Sequence, residues 1–291
     1  MKKLMLGLVT AAASFVLTAD AAEEHADRVV NEILATVAKL KAVDPEVRPM
    51  AFWDFDGTII KGDISDGLRE NGVELHQGMV HAGILAGYSP FYKGEAGCRQ
   101  FDSDYRRLNE IGRFIAWPLI GQSFAGVKVA DFNAFCTRRI RDIYSKWYFA
   151  SSVAILRKLE ASGVENHIIS GSPNLFVKNA AESIGLTPER MHGNSLAIDG
   201  GILSTRIEYP VTTDEGKVEV LRRLVSARPH AVAVAGFGDS YKTDGAFLRY
   251  IVHQTLPGGA KGFALMINGT HKTSEYEGLF TCVNQSEVVG K

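Results

Sequence analysis

The sequence predicts an α/β protein: a Rossmann-like, doubly wound parallel sheet as the core, with a helical cap inserted into it. Three observations lead there. Apolar runs of strand length, at 50–53, 167–169 and 231–235, alternate with amphipathic stretches of helical period. Each run ends abruptly in a short polar segment containing glycine, the arrangement that gathers a ligand site at the carboxyl ends of parallel strands. Between the first run and the others, from about 62 to 149, the rhythm changes to long helical stretches without strand alternation.

The elements follow in order. Residues 1–21 read as a signal peptide: Lys2 and Lys3 form a basic start, 4–17 is apolar, and Ala19-Asp20-Ala21 fits a small-x-small cleavage rule with the cut before Ala22. The apolar part is shorter than the roughly 20 residues a membrane span requires. Val29, Ile33, Val37 and Leu40 then fall at helical spacing, and Asp44-Pro45 ends that helix. Residues 22–61 and 150–291 are assigned to the core, and 62–149 to the cap. Cap helices are expected around 66–87, 99–116 and 128–149, with Tyr88-Ser89-Pro90-Phe91-Tyr92 and Trp117-Pro118 as turns. After the cap come a helix at 151–161, a strand at 167–169, a helix at 174–184 closed by Gly185, and a hairpin about Asp199-Gly200-Gly201. A helix at 216–225, the strand at 231–235 and a last strand at 262–267 complete the core.

Composition bounds the function. The chain has 291 residues, 46% of them hydrophobic, and a net charge of −1. This supplies a sizeable core and no overall basic character of the kind nucleic acid calls for. The basic run Arg138-Arg139-Ile140-Arg141 reads as a solvated helix face or a patch near an anion. Of the three cysteines, Cys98 and Cys136 are the pair best placed for a disulfide if the protein is exported, three unreactive buried thiols being the equal alternative, and none has zinc-site spacing. The expected locale is periplasmic or secreted, with no stable membrane span after signal removal.

The chemistry converges from three strand ends. The first brings Asp54 and Asp56, the second Ser170, and the third Asp239, with Asp244 five residues on; Lys217 begins a helix between the last two. Two carboxylates so close resist joint ionisation, and a divalent cation resolves the conflict. Asp54, Asp56 and Asp239 are the candidate ligands, hard oxygen donors suited to Mg2+. Gly57 lets the backbone approach an anion, and Thr58, Ser170, Gly171 and Lys217 are the candidate groups for binding a phosphoryl oxygen. Asp54 is the expected nucleophile and Asp56 the general acid and base, a role that requires its pKa to exceed the ordinary value of about 3.9. Asp244 is expected to support the site, orienting Lys217 or a metal-bound water.

Asp54-Phe55-Asp56-Gly57-Thr58, Ser170-Gly171, Lys217 and Gly238-Asp239-Ser240, with Asp244, resemble the four ordered motifs of the haloacid dehalogenase-like hydrolases over most of 50–250. The resemblance implies an aspartyl-phosphate mechanism with magnesium and a small phosphorylated substrate. The helical insertion is similar to the cap of the phosphoserine phosphatase-like branch. Pro210-Val211-Thr212 with the run from Gly216 to Leu221 is similar to secreted phosphorylcholine phosphatase-like members. The interval from Asp239 to Asp244 is one residue longer than is usual in phosphoserine phosphatases, which argues against phosphoserine itself.

Each motif has a plainer reading. Asp-Gly and Ser-Gly are common turn formers, a lysine often opens a solvated helix, and Asp239 could cap one. Their order in one chain favours chemistry. Trp117, Phe124, Trp147 and Tyr148 read first as helix packing and second as a pocket for a quaternary ammonium group. Gly236-Phe237-Gly238 is no dinucleotide fingerprint, because Tyr241 stands where the third glycine belongs. A phosphotransferase with the same intermediate, or a catalytically silent binding protein of the same fold, are the competing functions.

Overall fold

Strand β1, Arg48–Trp53, lies at the centre of the molecule. The computed structural model describes residues 19–276 and 278–290, so nearly all of the expected signal peptide lies outside the described residues. The side chains of β1 alternate between two layers. Met50 and Phe52 enter the apolar cluster under helices α8 (Glu215–Ser226) and α9 (Tyr241–His253). Ala51 and Trp53 enter the one under α1 (Ala19–Val43) and α6 (Ala150–Ala161). That period of two, buried on both faces, is why the strand reads as a continuous apolar run.

Seven strands form the sheet, in the order β6-β5-β4-β1-β7-β8-β9. β4 (Glu165–Pro173) and β7 (Ala231–Ser240) flank β1 in parallel, with β5 (Met191–Asp199) beyond β4 and β8 (Phe263–Thr270) and β9 (Thr281–Val283) beyond β7. β6 (Ile202–Glu208) pairs antiparallel with β5 through the expected Gly200-Gly201 turn. The chain leaves β1 toward β4 and later returns to its other side at β7. The carboxyl end of β1 is therefore a topological switch point, where such sheets bind ligands.

The segment between β1 and α6 differs from expectation at two places. Residues 67–77 form an antiparallel hairpin, β2 (Gly67–Glu70) and β3 (Val73–Gln77), instead of a helix. Asn71 and Gly72 both have positive φ, 51° and 79°, so the Asn-Gly pair makes a tight hairpin turn that overrides the helical spacing around it. Four helices follow: α2 (Met79–Leu85), α3 (Gly94–Ile111), α4 (Arg113–Gln122) and α5 (Val129–Asp142). The break between α3 and α4 falls at Gly112, and Pro118 sits inside α4 rather than at a turn. Residues 174–184 are also less regular than expected, one helical turn, α7 (Asn174–Val177), followed by two 3-10 turns. Cys98 and Cys136 are both buried and free, so the expected disulfide does not form. No helix among the described residues is long and apolar enough to cross a membrane.

Candidate active site

A cavity of about 480 Å³ opens at the carboxyl ends of β1, β4 and β7. Its floor includes Asp54, Asp56, Gly57, Gly171, Lys217 and Asp239, so residues far apart in sequence meet where the motifs predicted. Tyr105 from α3 and Trp117 and Ile120 from α4 form the opposite wall.

Asp54 follows the last residue of β1, and its amide donates to Phe237 O of β7 at 2.8 Å. Its side chain is buried, and Oδ1 accepts from Lys217 Nζ at 2.5 Å. The same ammonium donates to Asp244 Oδ1 at 2.6 Å. Burial pushes the Asp54 carboxyl up to about 7, with the Lys217 charge opposing and the Asp244 charge adding. Burial works against the Lys217 ammonium, but the charges of Asp244 and Asp54 outweigh it and hold its proton. Asp244 also fixes the turn that carries Asp239, because its Oδ2 accepts from the amides of Asp239 and Ser240, both at 3.0 Å.

Asp56 faces the other way. Its Oδ1 accepts from the Ile64 amide at 2.6 Å, and its Oδ2 from the hydroxyls of Ser172 at 2.7 Å and Ser170 at 3.2 Å. Burial, then the charges of Asp63 and Asp54, raise its pKa well above the ordinary carboxylate range, as a proton donor requires. So engaged, the Asp56 carboxylate is not among the side-chain oxygens that gather as a candidate metal grouping. The carboxylate oxygens that do gather, within 4.8 Å of one another, belong to Asp54, Asp239 and Asp244. Ser170 is fully buried and Thr58 likewise, neither facing the cavity. The Thr58 hydroxyl lies 3.5 Å from Asp54 Oδ2, a weak contact. Gly171, in contrast, lines the cavity.

The donor set fits a hard divalent cation. It is all oxygen, and its three carboxylates outnumber the single ammonium of Lys217 that bonds two of them. Burial and the charges of Asp244 and Asp54 push Asp239 up to about 8, with the Lys217 charge opposing them without a direct bond. Gly57, at φ 72°, makes the assembly possible. A Cβ built there would stand 2.4 Å from Asp239 Oδ2, so only glycine admits that carboxylate.

Several contributors had no signal in the sequence. Asp63, Ser65 and Asp66 line the cavity from the loop after β1, and Asn268, Thr270 and His271 from the end of β8. Burial and the charge of Asp66 push Asp63 up to about 7. Ser172 adjoins the Ser170-Gly171 motif, and that adjacency is the one signal that could have found it. Asn194 and Thr212 brace that turn: Asn194 Nδ2 donates to Gly171 O, and Thr212 Oγ1 to Ser170 O at 2.5 Å. Of the four aromatic residues with a second reading as a pocket, only Trp117 lines this one. Phe124 stacks on Phe132 at 4.6 Å, Trp147 packs against His76, and the Tyr148 hydroxyl meets Ser183.

Comparison with known proteins places this geometry in a family. The family model of the haloacid dehalogenase-like hydrolases matches residues 51–249. No curated protein matches. Among solved structures, a protein of unknown function from Bordetella pertussis Tohama I aligns with a TM-score of 0.64 at 15% identity, covering 81% of this chain and 98% of that one. A HAD family hydrolase from Salmonella enterica serovar Typhi aligns at 0.50 and 15%, covering 81% and 68%. Cytosolic 5′-nucleotidase IIIB, bound to cytidine, aligns at 0.50 and 17%, covering 87% and 80%. These likenesses concern the fold; the family match, over the segment that holds every motif residue from Asp54 to Asp244, means that the chain belongs to the haloacid dehalogenase-like hydrolases.

Proposed function

We propose that the protein is an exported, magnesium-dependent phosphomonoesterase acting through an aspartyl-phosphate on a small ester. The observation that carries this reading is the division of labour between two carboxylates on one strand end. Asp54 accepts from Lys217, whose charge opposes the burial that raises its pKa, while Asp56 sits apart with its proton favoured. With Oδ1 tied to Lys217, Oδ2 is the freer oxygen of Asp54 and the attacking atom.

In the first step Asp54 Oδ2 bonds to phosphorus, the bond from phosphorus to the alcohol oxygen breaks, and Asp56 gives its proton to that oxygen. In the second, Asp56 takes a proton from water, the water oxygen bonds to phosphorus, and the bond to Asp54 breaks, releasing phosphate. Lys217 answers the charge spread over the transferring group. Asp54 and Asp239 would hold a magnesium ion, which when bound would supply further compensation of that charge. Asp244, fully engaged with Lys217 and two amides, positions rather than reacts.

The alcohol half of the substrate carries a positive charge in this reading. Asp63 and Asp66 line the cavity together with Tyr105 and Trp117, and carboxylates beside aromatic faces suit an ammonium group. The resemblance of residues 210–221 to phosphorylcholine phosphatase-like members, an expectation from the sequence, points the same way. Export rests on the basic, apolar and small-residue order of 1–21. A cut before Ala22 would remove only the first three residues of α1 and leave the buried Ala22 in its packing.

The test is phosphate release from a panel of phosphomonoesters with cationic, neutral and anionic alcohols, in magnesium and in chelator. Turnover that needs magnesium and favours cationic alcohols supports the reading. Absence of release from every ester by the folded protein would sink it.

A further inference from the structure

Arg113 opens α4, the helix whose Trp117 and Ile120 wall the cavity. Its Nη2 reaches across 101 residues of chain to both oxygens of Asp214, at 2.8 and 2.9 Å. Asp214 immediately precedes α8, in which Lys217 is the third residue, and its carbonyl accepts from the Lys217 amide at 3.1 Å. One ion pair thus ties the helix over the cavity to the helix start that delivers the site's ammonium.

Asp214 holds an unusual backbone, φ 50° and ψ −124°, which glycine adopts freely and a residue with a Cβ resists. Such a conformation persists only where the surroundings over-determine it, and it concentrates at functional sites. Here the surroundings are the Arg113 guanidinium on both carboxylate oxygens and the Thr213 hydroxyl on Oδ2 at 3.2 Å. The side chains of Arg113 and Asp214 are 21% and 25% exposed, so solvent reaches the pair and it is not locked in the core. Arg113 Nε, in contrast, is buried without a hydrogen-bond partner.

We propose that Arg113 and Asp214 form a latch that couples the seating of α4 over the cavity to the placement of Lys217. Both are positioning residues for the hydrolysis, and the assignment rests on the phosphomonoesterase reading. Closing the latch brings Trp117 down on the carboxyl end of β4 and sets the first turn of α8, so that the cavity excludes water when the ammonium is in place.

The test compares Arg113→Ala, Asp214→Asn, their double variant, Asp214→Gly and the charge-exchanged Arg113→Asp/Asp214→Arg. The readouts are kcat and KM for the best ester, and amide hydrogen exchange over 113–122 and 214–218, with unchanged protection of 48–53 certifying the fold. Each single variant is expected to lower kcat about tenfold or more, and to speed exchange in both segments together. The double variant should be no worse than the worse single one, and the exchanged pair should regain part of the loss. Asp214→Gly, which relieves the backbone but removes the carboxylate, should lose as much as Asp214→Asn. Full kcat in the single variants, losses that multiply in the double, or faster exchange in α4 with 214–218 unmoved would overturn the latch. If the wild type hydrolyses no phosphomonoester, the function reading fails on its own, and coupled exchange of the two segments still decides for or against the latch.

Discussion

Trp117 rests directly on Gly171. A Cβ built on Gly171 would stand 2.1 Å from Trp117 Cζ3 and 2.7 Å from Cε3, so the ring occupies the space any other side chain would need. A residue of α4 and one at the carboxyl end of β4 thus share one contact at the mouth of the cavity. Gly171→Ala is expected to push Trp117 off the site, costing about 1–3 kcal/mol in overpacking. The predicted result is a KM for small esters raised about tenfold or more; an unchanged KM in the variant would show that the contact does not shape the cavity.

Ser172 makes the shortest side-chain hydrogen bond to Asp56, 2.7 Å, and is itself tied to Ser65 at 2.8 Å. Ser172→Ala removes a donor to a group that must hold one orientation while it transfers protons. In the proposed mechanism Asp56 becomes a charged carboxylate as its proton leaves, and a hydrogen bond to a charged group is worth about 1.5–3 kcal/mol. The expected effect is therefore a fall in kcat of roughly ten- to a hundredfold with KM little changed, measurable by steady-state kinetics.

Gly57 bears on the cation. Gly57→Ala places a methyl 2.4 Å from Asp239 Oδ2 and forces a left-handed backbone on alanine. Asp239 must retreat, and the magnesium concentration for half-maximal activity should rise at least tenfold. Titration of activity with magnesium after chelator treatment checks this, with Asp239→Asn as the comparison expected to behave the same way.

The core also holds a pH-sensitive pair. His167 Nδ1 and His192 Nε2 lie 3.1 Å apart, and His167 Nε2 meets Glu165 Oε1 at 2.7 Å. Burial, then the charge of His167, pulls His192 down to about 4. A group whose folded pKa is lowered contributes stability that is present above its unfolded value of 6.5 and is lost as pH falls toward 4. At about 1.4 kcal/mol per pH unit over the interval from 6.5 to 4, the loss is at most between about 3 and 4 kcal/mol, less for partial exposure. Thermal unfolding at several pH values should show His192→Gln with a flatter decline than wild type between those limits. Parallel declines would contradict the assignment.

The legible parts of the molecule were those with local causes. The doubly wound sheet showed in the apolar runs, because strands buried on both faces cannot hide polar residues. Asp54, Lys217 and Asp239 were legible because each sits at a strand end or helix start that the pattern marks. The β2–β3 hairpin was not, although Asn71-Gly72 advertised it, because the helical spacing around that pair is the longer pattern and masks a two-residue turn. The orientation of Asp56 could not be read either. It depends on the Ile64 amide and two serines brought together by folding. Asp63, Tyr105 and Asn268 reach the cavity from three separate segments, and no spacing in the chain announces such a meeting.

The most direct measurement is the fate of Asp54 during turnover. Wild-type protein mixed with its best ester and magnesium, quenched in acid and digested, should carry one added phosphoryl group on the peptide containing Asp54. Asp54→Asn should carry none and release no phosphate. Phosphate release without that modification, or continued turnover by Asp54→Asn, would contradict the account.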